Sequence, residues 1–311
     1  MQTSRQQTPP AAPPTRDGVS PSRVFLPAGP WTSYEDFLAA RFPAVSLNDW
    51  QSRIRQGQVL DASGKRIRPG QSYEHGNLLY YYRSLPAETP VPFTETVIYR
   101  DEWIVVADKP HFLPVIPSGR YLQETLLVRL KRRLNINTLS PIHRIDRETA
   151  GLVVFSVQPA TRSCYQSLFH DRQVEKHYEA IAPHRPDIPL PSLYRSCLVQ
   201  NPDAFMQMKE IPGKPNAETK IRLLESKNAL ARYALQPLTG KKHQLRAQMM
   251  AMGHPILNDR IYPELRPEKT NEKNRDDAYA SPLQLLAKTI AFKDPVTGEQ
   301  RHFESTQQLR L

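Results

Sequence analysis

Cysteine is nearly absent from this 311-residue chain: Cys164 and Cys197 are the only two, and no Cys-x-x-Cys pair occurs. That count excludes a disulfide framework and a thiolate metal cage. His170, His177 and His184 recur seven residues apart, but a change from helix to strand between them keeps them off a common face, so no metal is expected. Long apolar runs are lacking too. None approaches the roughly 18 residues of a membrane span. The first residues hold no apolar secretory core, which makes a reducing, cytoplasmic setting the expectation. Neither a P-loop nor a dinucleotide fingerprint is present, and no cofactor is expected. Acidic residues are in deficit: 42 Lys and Arg against 31 Asp and Glu, a formal net charge of +11. With a membrane span excluded, that excess points to a nucleic-acid partner.

The length allows one large domain and one small one. Seven of the first thirty residues are proline, mixed with Thr, Ser, Gln and Arg. Such a segment buries too little apolar area to offset its ordering entropy, so residues 1–32 are expected to form a disordered tail carrying Arg5, Arg16 and Arg23. Ser33 with Asp36 three residues on predicts a helix start, with Phe37, Leu38 and Phe42 on one face. Ser46 predicts a second short helix, with Leu47, Trp50 and Ile54 inward. Gly57 stops it, residues 58–67 read as a hairpin with a Ser-Gly turn, and Leu78 to Tyr82 as a strand. Two helices, a hairpin and a strand over 33–83 resemble the S4 RNA-binding module. Arg53 and Arg66, with Arg55, Lys65 and Arg68, would give it a basic edge for phosphate contacts, or simply a solvated charged face.

Residues 84–92 read as a proline-containing linker and 93–311 as the large domain. Strands are expected near 97–108, a basic helix over 123–134 with Leu126, Leu127, Leu130 and Leu134 inward, and a helix from Pro159 to about Phe169. A strand follows over 174–181, then a proline-rich irregular stretch over 183–217, strands near 219–225 and 230–236, and a helix from His243 to Met252. An exposed excursion over 263–281, a strand over 283–292 and a final turn and strand complete the chain. On the strand over 174–181, alternation puts Lys176, Tyr178 and Ala180 on one face.

The chain is organised around residues 142–155. Leu152 to Phe155 form an apolar run that reads as a buried strand opened by Gly151. Just ahead of it, His143, Arg144, Asp146, Arg147 and Glu148 crowd at the strand mouth, where a rigid element fixes their positions. Asp146 between two arginines should stay ionised. Composition alone leaves two readings open, a surface ion pair or a reactive site.

Resemblance separates them. The stretch is similar to the H-R-L-D-x-x-T-S-G-L motif of the RluA family of RNA pseudouridine synthases, with Ile145 and Ala150 as replacements. Lys109-Pro110, Lys176-x-Tyr178-x-Ala180, Ala217-x-Thr219, Leu238 to Arg246 against L-T-G-R-T-H-Q-I-R, and Gly253-His254-Pro255 with Asp259 to Tyr262 match further motifs. Departures are Lys242, Asn258, and Leu286 where a histidine usually precedes the alanine. The resemblance covers roughly residues 90–311. It implies an α+β catalytic fold with a mixed, largely antiparallel central sheet flanked by helices and loops, beside the small α/β S4-like domain. It implies isomerisation of uridines in RNA, ribosomal more than transfer RNA, by a monomer. Asp146 would be the catalytic carboxylate, acting as nucleophile at C1′ or as base at C2′; Arg246 would orient it, and Tyr178 would lie against the uracil. Arg144 would fill the place of a flipped base or clamp phosphate. Arg147, His143, Lys176, Lys241 and His243 would line the RNA path. The rivals are an inactive RNA-binding or ribosome-assembly factor, and a hydrolase using Asp146 with Glu148.

Overall fold

The computed structural model describes residues 13–85, 88–266 and 279–311. The chain divides into two compact units, one of residues 1–88 and 119–123, the other of 89–118 and 124–311. Residues 119–123 join the first unit because the Glu88 carboxylate accepts the backbone N–H groups of Leu122 (2.6 Å) and Gln123 (2.8 Å).

The first unit holds β1 (Ser22–Phe25), α1 (Tyr34–Arg41), α2 (Leu47–Arg55), β2 (Val59–Leu60) and β3 (Leu78–Tyr81). A complete capping box opens α1: Ser33 Oγ accepts the Asp36 N–H, and the Asp36 carboxylate accepts the Ser33 N–H. Ser46 caps α2 without the reciprocal backbone bond: its Oγ accepts the Asp49 N–H and donates to the Asp49 carboxylate. Val59 and Leu60 form β2, and the return arm of the expected hairpin is reduced to one bridge at Arg66. The turn itself is closed by the Asp61 carboxylate, which accepts the N–H groups of Ser63 and Lys65. β3 is central, paired antiparallel with β1 on one side and β2 on the other.

That pairing corrects the expected tail. Residues 1–12 lie outside the described residues, but 22–25 form a strand in register with β3, Val24 opposite Leu79. Prolines dominate the composition there, yet the apolar positions between them reach the core. Leu26 is 1% exposed in one cluster with Phe37, Leu38, Trp50 and Ile54. Arg16 lies over the Tyr82 ring at 3.9 Å.

Among the described residues, the second unit holds one sheet of eleven strands with helices α3, α4 and α5, whose ranges follow. In chain order it has β4 (Thr96–Arg100), β5 (Ile104–Lys109), α3 (Leu126–Leu134), β6 (Ser140–Pro141), β7 (Ala150–Ser156), α4 (Arg162–His170), β8 (Glu175–Pro183), β9 (Leu193–Gln200), β10 (Met208–Ile211), β11 (Ala217–Lys227), β12 (Leu230–Pro237), α5 (Gln244–Ala251), β13 (Leu285–Lys293) and β14 (Gln300–Glu304). The order across the sheet is β10-β9-β11-β12-β8-β13-β7-β5-β4, with β14 on β13 and β6 on β7. Every pairing is antiparallel except β13 with β7, so the sheet is mixed and largely antiparallel. All residues of β5 and β7 are buried, which is why Ile104 to Ala107 and Leu152 to Phe155 are apolar without a break. α4 packs Tyr165 and Leu168 on β5, β7 and β13, and α5 packs Leu245 and Met249 on β8 and β12. No helix among the described residues is long and apolar enough to cross a membrane.

Three expectations change. The stretch over 183–217 contains β9 and β10, short strands masked in the sequence by prolines that flank them. α3 begins at Leu126, capped by Thr125, and buries Val128 and Lys131 in place of Leu127 and Leu134. Part of its basic charge is paired: Arg129 binds Glu95, Glu124 and the carbonyls of Val91 and Phe93, and Arg133 pairs with Glu95, while Arg132 is exposed. Most of the expected excursion, residues 267–278, lies outside the described residues.

Gly151 permits the parallel crossing. Its φ is +108°, and an added Cβ would sit 2.2 Å from the Ala287 carbonyl oxygen of β13. Neither backbone can give way, since both strands are central. Gly151→Ala is expected to cost at least ~2 kcal/mol of folding stability, read by urea unfolding. A loss under a few tenths would show that the crossing adapts.

Candidate functional site

The loop between β6 and β7 carries residues 143–149 to the edge of a cavity of about 660 Å³. Asp146, Tyr178 and Arg246 line it together, with His143, Arg144, Lys176, Lys241 and His243. Tyr178 arrives from β8, Arg246 from the first turn of α5, and Asp146 from the loop, whose backbone is closed by a Thr149 N–H to Asp146 O bond of 3.2 Å. Arg53 and Arg66 belong to the first unit and do not line this cavity.

Arg246 is the anchor. Its side chain is 1% exposed and splits its donors between two acids. Nε and Nη2 donate to Asp259 at 2.8 and 2.7 Å, a bidentate pair, while Nη1 donates to Asp146 Oδ2 at 3.1 Å. Asp259 is fixed in turn, because its Oδ1 also accepts the N–H groups of Ile261 and Tyr262. Burial works against a charged guanidinium. The hydrogen bonds and charge of Asp259, then the charges of Asp146 and Glu148, outweigh it and hold the pKa above the ordinary arginine value. One side chain thus points a charged donor at Asp146 without freedom to turn away. The sequence placed Arg246 but gave Asp259 no role: the two lie on a helix and a later turn, and nothing in the chain marks their pairing.

Around this pair the turn before α5 is set by buried polar groups. Gln244 Oε1 accepts from the Thr239 hydroxyl (2.7 Å) and the Lys241 N–H (3.1 Å), while its amide donates to Glu218 O and Thr219 Oγ1. His243 takes the left-handed N-cap position, φ 50°, and brings Nε2 to 3.8 Å from Asp146 Oδ1. Burial pulls its pKa down, against the Asp146 charge, so the neutral ring is favoured beside the carboxylate. Lys109 is buried on the other side. Burial pushes its ammonium down to about 7 against the charges of Glu148 and Asp146, and Nζ donates to the carbonyls of Pro110 and Arg147, tying the loop to β5.

Arg144 is exposed at the cavity edge and Lys241 is exposed beside it. Arg147 pairs with Glu148 at 2.8 Å. Asp146 and Glu148 both face Nη1 of Arg246, at 3.1 and 3.9 Å. Two carboxylates on one cation are not opposed across a sugar, which leaves the hydrolase reading without geometry. Tyr178 has its phenol pKa raised by burial, and further by Asp146.

His143 enters as a neutral ring. It stacks on Phe169 with centroids 4.5 Å apart, and Nε2 accepts the Val154 N–H at 3.1 Å. Burial, then Lys176, pushes its pKa down to about 3. The unfolded chain, near 6.5, therefore takes up the proton first, so this contribution to stability is complete above about pH 6.5 and is lost as pH falls toward 3. Between pH 7 and 5 the loss is expected to be ~1–2 kcal/mol by urea unfolding. His143→Gln, which keeps an acceptor and cannot titrate there, should lose less; an equal loss in both proteins would refute the assignment.

Two motif departures prove to be neighbours. Ala150 and Leu286 lie directly opposite in the parallel register of β7 and β13, in one apolar cluster with Ile181 and Leu309. Both positions that depart toward apolar side chains thus meet each other.

This architecture and this half-buried carboxylate held by a buried arginine define a class, the RNA-modifying isomerases that make pseudouridine. A family model described as RNA pseudouridylate synthase matches residues 103–251. The dual-specificity RNA pseudouridine synthase RluA of Escherichia coli K12 is 31% identical over 216 residues, covering 67% of this chain and 91% of that protein. An uncharacterized RNA pseudouridine synthase of Synechocystis is 29% identical over 239 residues, 73% of this chain and 78% of that protein. Against human pseudouridylate synthase RPUSD2, at 32% identity over 185 residues, the match covers 58% of this chain but a third of that protein. Among solved structures, human RNA Pseudouridylate Synthase Domain Containing 4 aligns with TM-score 0.52 at 27% identity, over 68% of this chain and 88% of that one. The chain belongs to the RNA pseudouridylate synthase family.

Proposed function

We propose that the chain isomerises specific uridines in RNA, ribosomal RNA ahead of transfer RNA, with Asp146 as its catalytic carboxylate. The observation that carries this reading is the meeting of Asp146, Tyr178 and Arg246 at one cavity of about 660 Å³, within the range of small-molecule sites and large enough for a nucleoside. Isomerisation breaks N1–C1′, turns the uracil and joins C5 to C1′, with no redox change and no energy source. Asp146 acts at the sugar, by adding to C1′ or by taking the C2′ proton. Arg246 holds it in line. Tyr178 keeps its proton in the resting cleft and forms a wall and donor for the uracil. Once Asp146 has given up its charge to the sugar, one of the two causes that raise the Tyr178 pKa is gone, so the phenol loses its proton to water more readily and the phenolate so formed takes the C5 proton. The uridine must leave its stack to reach the cavity, at a cost of roughly a few kcal/mol, and Arg144 at the edge is placed to occupy the gap.

The preference for ribosomal RNA rests on the first unit, whose helices, turn and central strand resemble an S4 module. Arg55, Arg66 and Arg68 are exposed there, whereas Arg53 lies over the Trp50 ring. Reversing the three exposed arginines to glutamate is expected to weaken RNA binding by about tenfold or more and to flatten its salt dependence. Unchanged affinity would remove this unit from RNA recognition. The function itself is tested by tritium release from ribosomal and transfer RNA labelled at uridine C5. Release from ribosomal RNA in excess of transfer RNA is expected. Binding with no release from either would favour an RNA-binding or assembly factor.

A further inference from the structure

The β9–β10 hairpin carries an exposed aromatic that the chemistry above does not use. Phe205 is 85% exposed and Met206 beside it 47%. An aromatic ring so open to water is not there for the core. Its backbone, however, is held: Gln200 Nε2 donates to the carbonyls of both Phe205 and Gln207, and the turn is closed by a Gln207 N–H to Ala204 O bond of 2.8 Å. The hairpin is also tied to the segment that fixes Arg246. Met208 N–H donates to Tyr262 Oη at 2.7 Å, and Gln207 Nε2 donates to the carbonyls of Ile261 and Pro263. Lys242 Nζ lies 5.6 Å from the centre of the Phe205 ring, and the adjoining Lys241 lines the cavity with Asp146.

A ring open to solvent on a held backbone, with the Lys242 ammonium beside it and the next lysine in sequence, Lys241, lining the cavity, matches what single-stranded RNA requires: a flat face for a base and cations for the phosphates between bases. We propose that Phe205 is a stacking platform for an unpaired base next to the flipped uridine, with Lys241 and Lys242 taking the intervening phosphates. This rests on reading the cavity as an RNA site. Stacking is indifferent to base identity, so the platform would hold the strand flanking the target without adding sequence preference of its own.

The test uses the full chain and a 12-nucleotide single-stranded RNA of uridines with 2-aminopurine at single positions, read by fluorescence. Phe205→Ala is expected to weaken binding by about tenfold and to abolish the quench of 2-aminopurine at one position. Phe205→Tyr, which keeps a ring, should restore both, and Phe205→Leu, which keeps apolar bulk, should restore neither. Binding and quench unchanged in Phe205→Ala would overturn the proposal, as would full recovery by leucine. Tritium release by the wild-type chain is followed in parallel. Its absence, with the Phe205 effects intact, would defeat the catalytic reading while leaving the platform; its presence, with Phe205→Ala unaffected, would do the reverse.

Discussion

Asp146→Asn is expected to reduce tritium release from uridine-labelled RNA by about 10³-fold or more at saturating RNA. An amide is a poor nucleophile toward C1′ and a poor base toward C2′, so both routes fail together. Asparagine still offers Oδ1 to Nη1 of Arg246, and the Asp259 pair is untouched, so the fold and the cleft should survive. RNA affinity should change little, because the carboxylate does not attract phosphate. A variant that still released tritium within tenfold of wild type would place the chemistry on another group.

Arg246→Ala is expected to act on both activity and stability. The guanidinium is 1% exposed and neutralises Asp259, itself buried, together with Asp146. Its removal leaves an uncompensated buried carboxylate, a loss on the order of 3–5 kcal/mol. Turnover should fall about 10²–10³-fold beyond the effect of any unfolded fraction, since the reacting carboxylate loses its orientation. Arg246→Lys separates the two effects. One ammonium can pair with Asp259 or reach Asp146 but cannot form the bidentate fork and the third bond at once. Stability should partly recover while turnover stays low. Recovery of both would mean that a point charge suffices and that the fork is incidental.

How much of this was legible before the fold depended on distance along the chain. Asp146, Arg144 and Arg147 sit within four residues of one another ahead of a β-branched run, and such local order survives in the sequence. The capping of α1 by Ser33 and Asp36 was legible for the same reason. The strand carrying Tyr178 announced itself by alternation. What could not be read were partners chosen by tertiary structure: the fork between Arg246 and Asp259, the opposition of Ala150 and Leu286, and the binding of Arg129 by Glu95 and Glu124. Proline counts misled twice. They hid β1, whose Val24 and Leu26 join a core with Trp50, and they hid β9 and β10, whose turn presents Phe205. Composition averages over a window, whereas two or three alternating apolar residues suffice for an edge strand once a partner is waiting.

The central claim is that an arginine-held carboxylate breaks and remakes a glycosidic bond. The most direct measurement is nucleoside analysis of uridine-labelled RNA after a single turnover with wild-type and Asp146→Asn proteins. The wild-type chain is expected to release C5 tritium from the labelled RNA and to form, from unlabelled RNA, a nucleoside isomer of the same mass as uridine, while the variant does neither. Free uracil in the wild-type reaction, or the same isomer formed equally by both proteins, would contradict it.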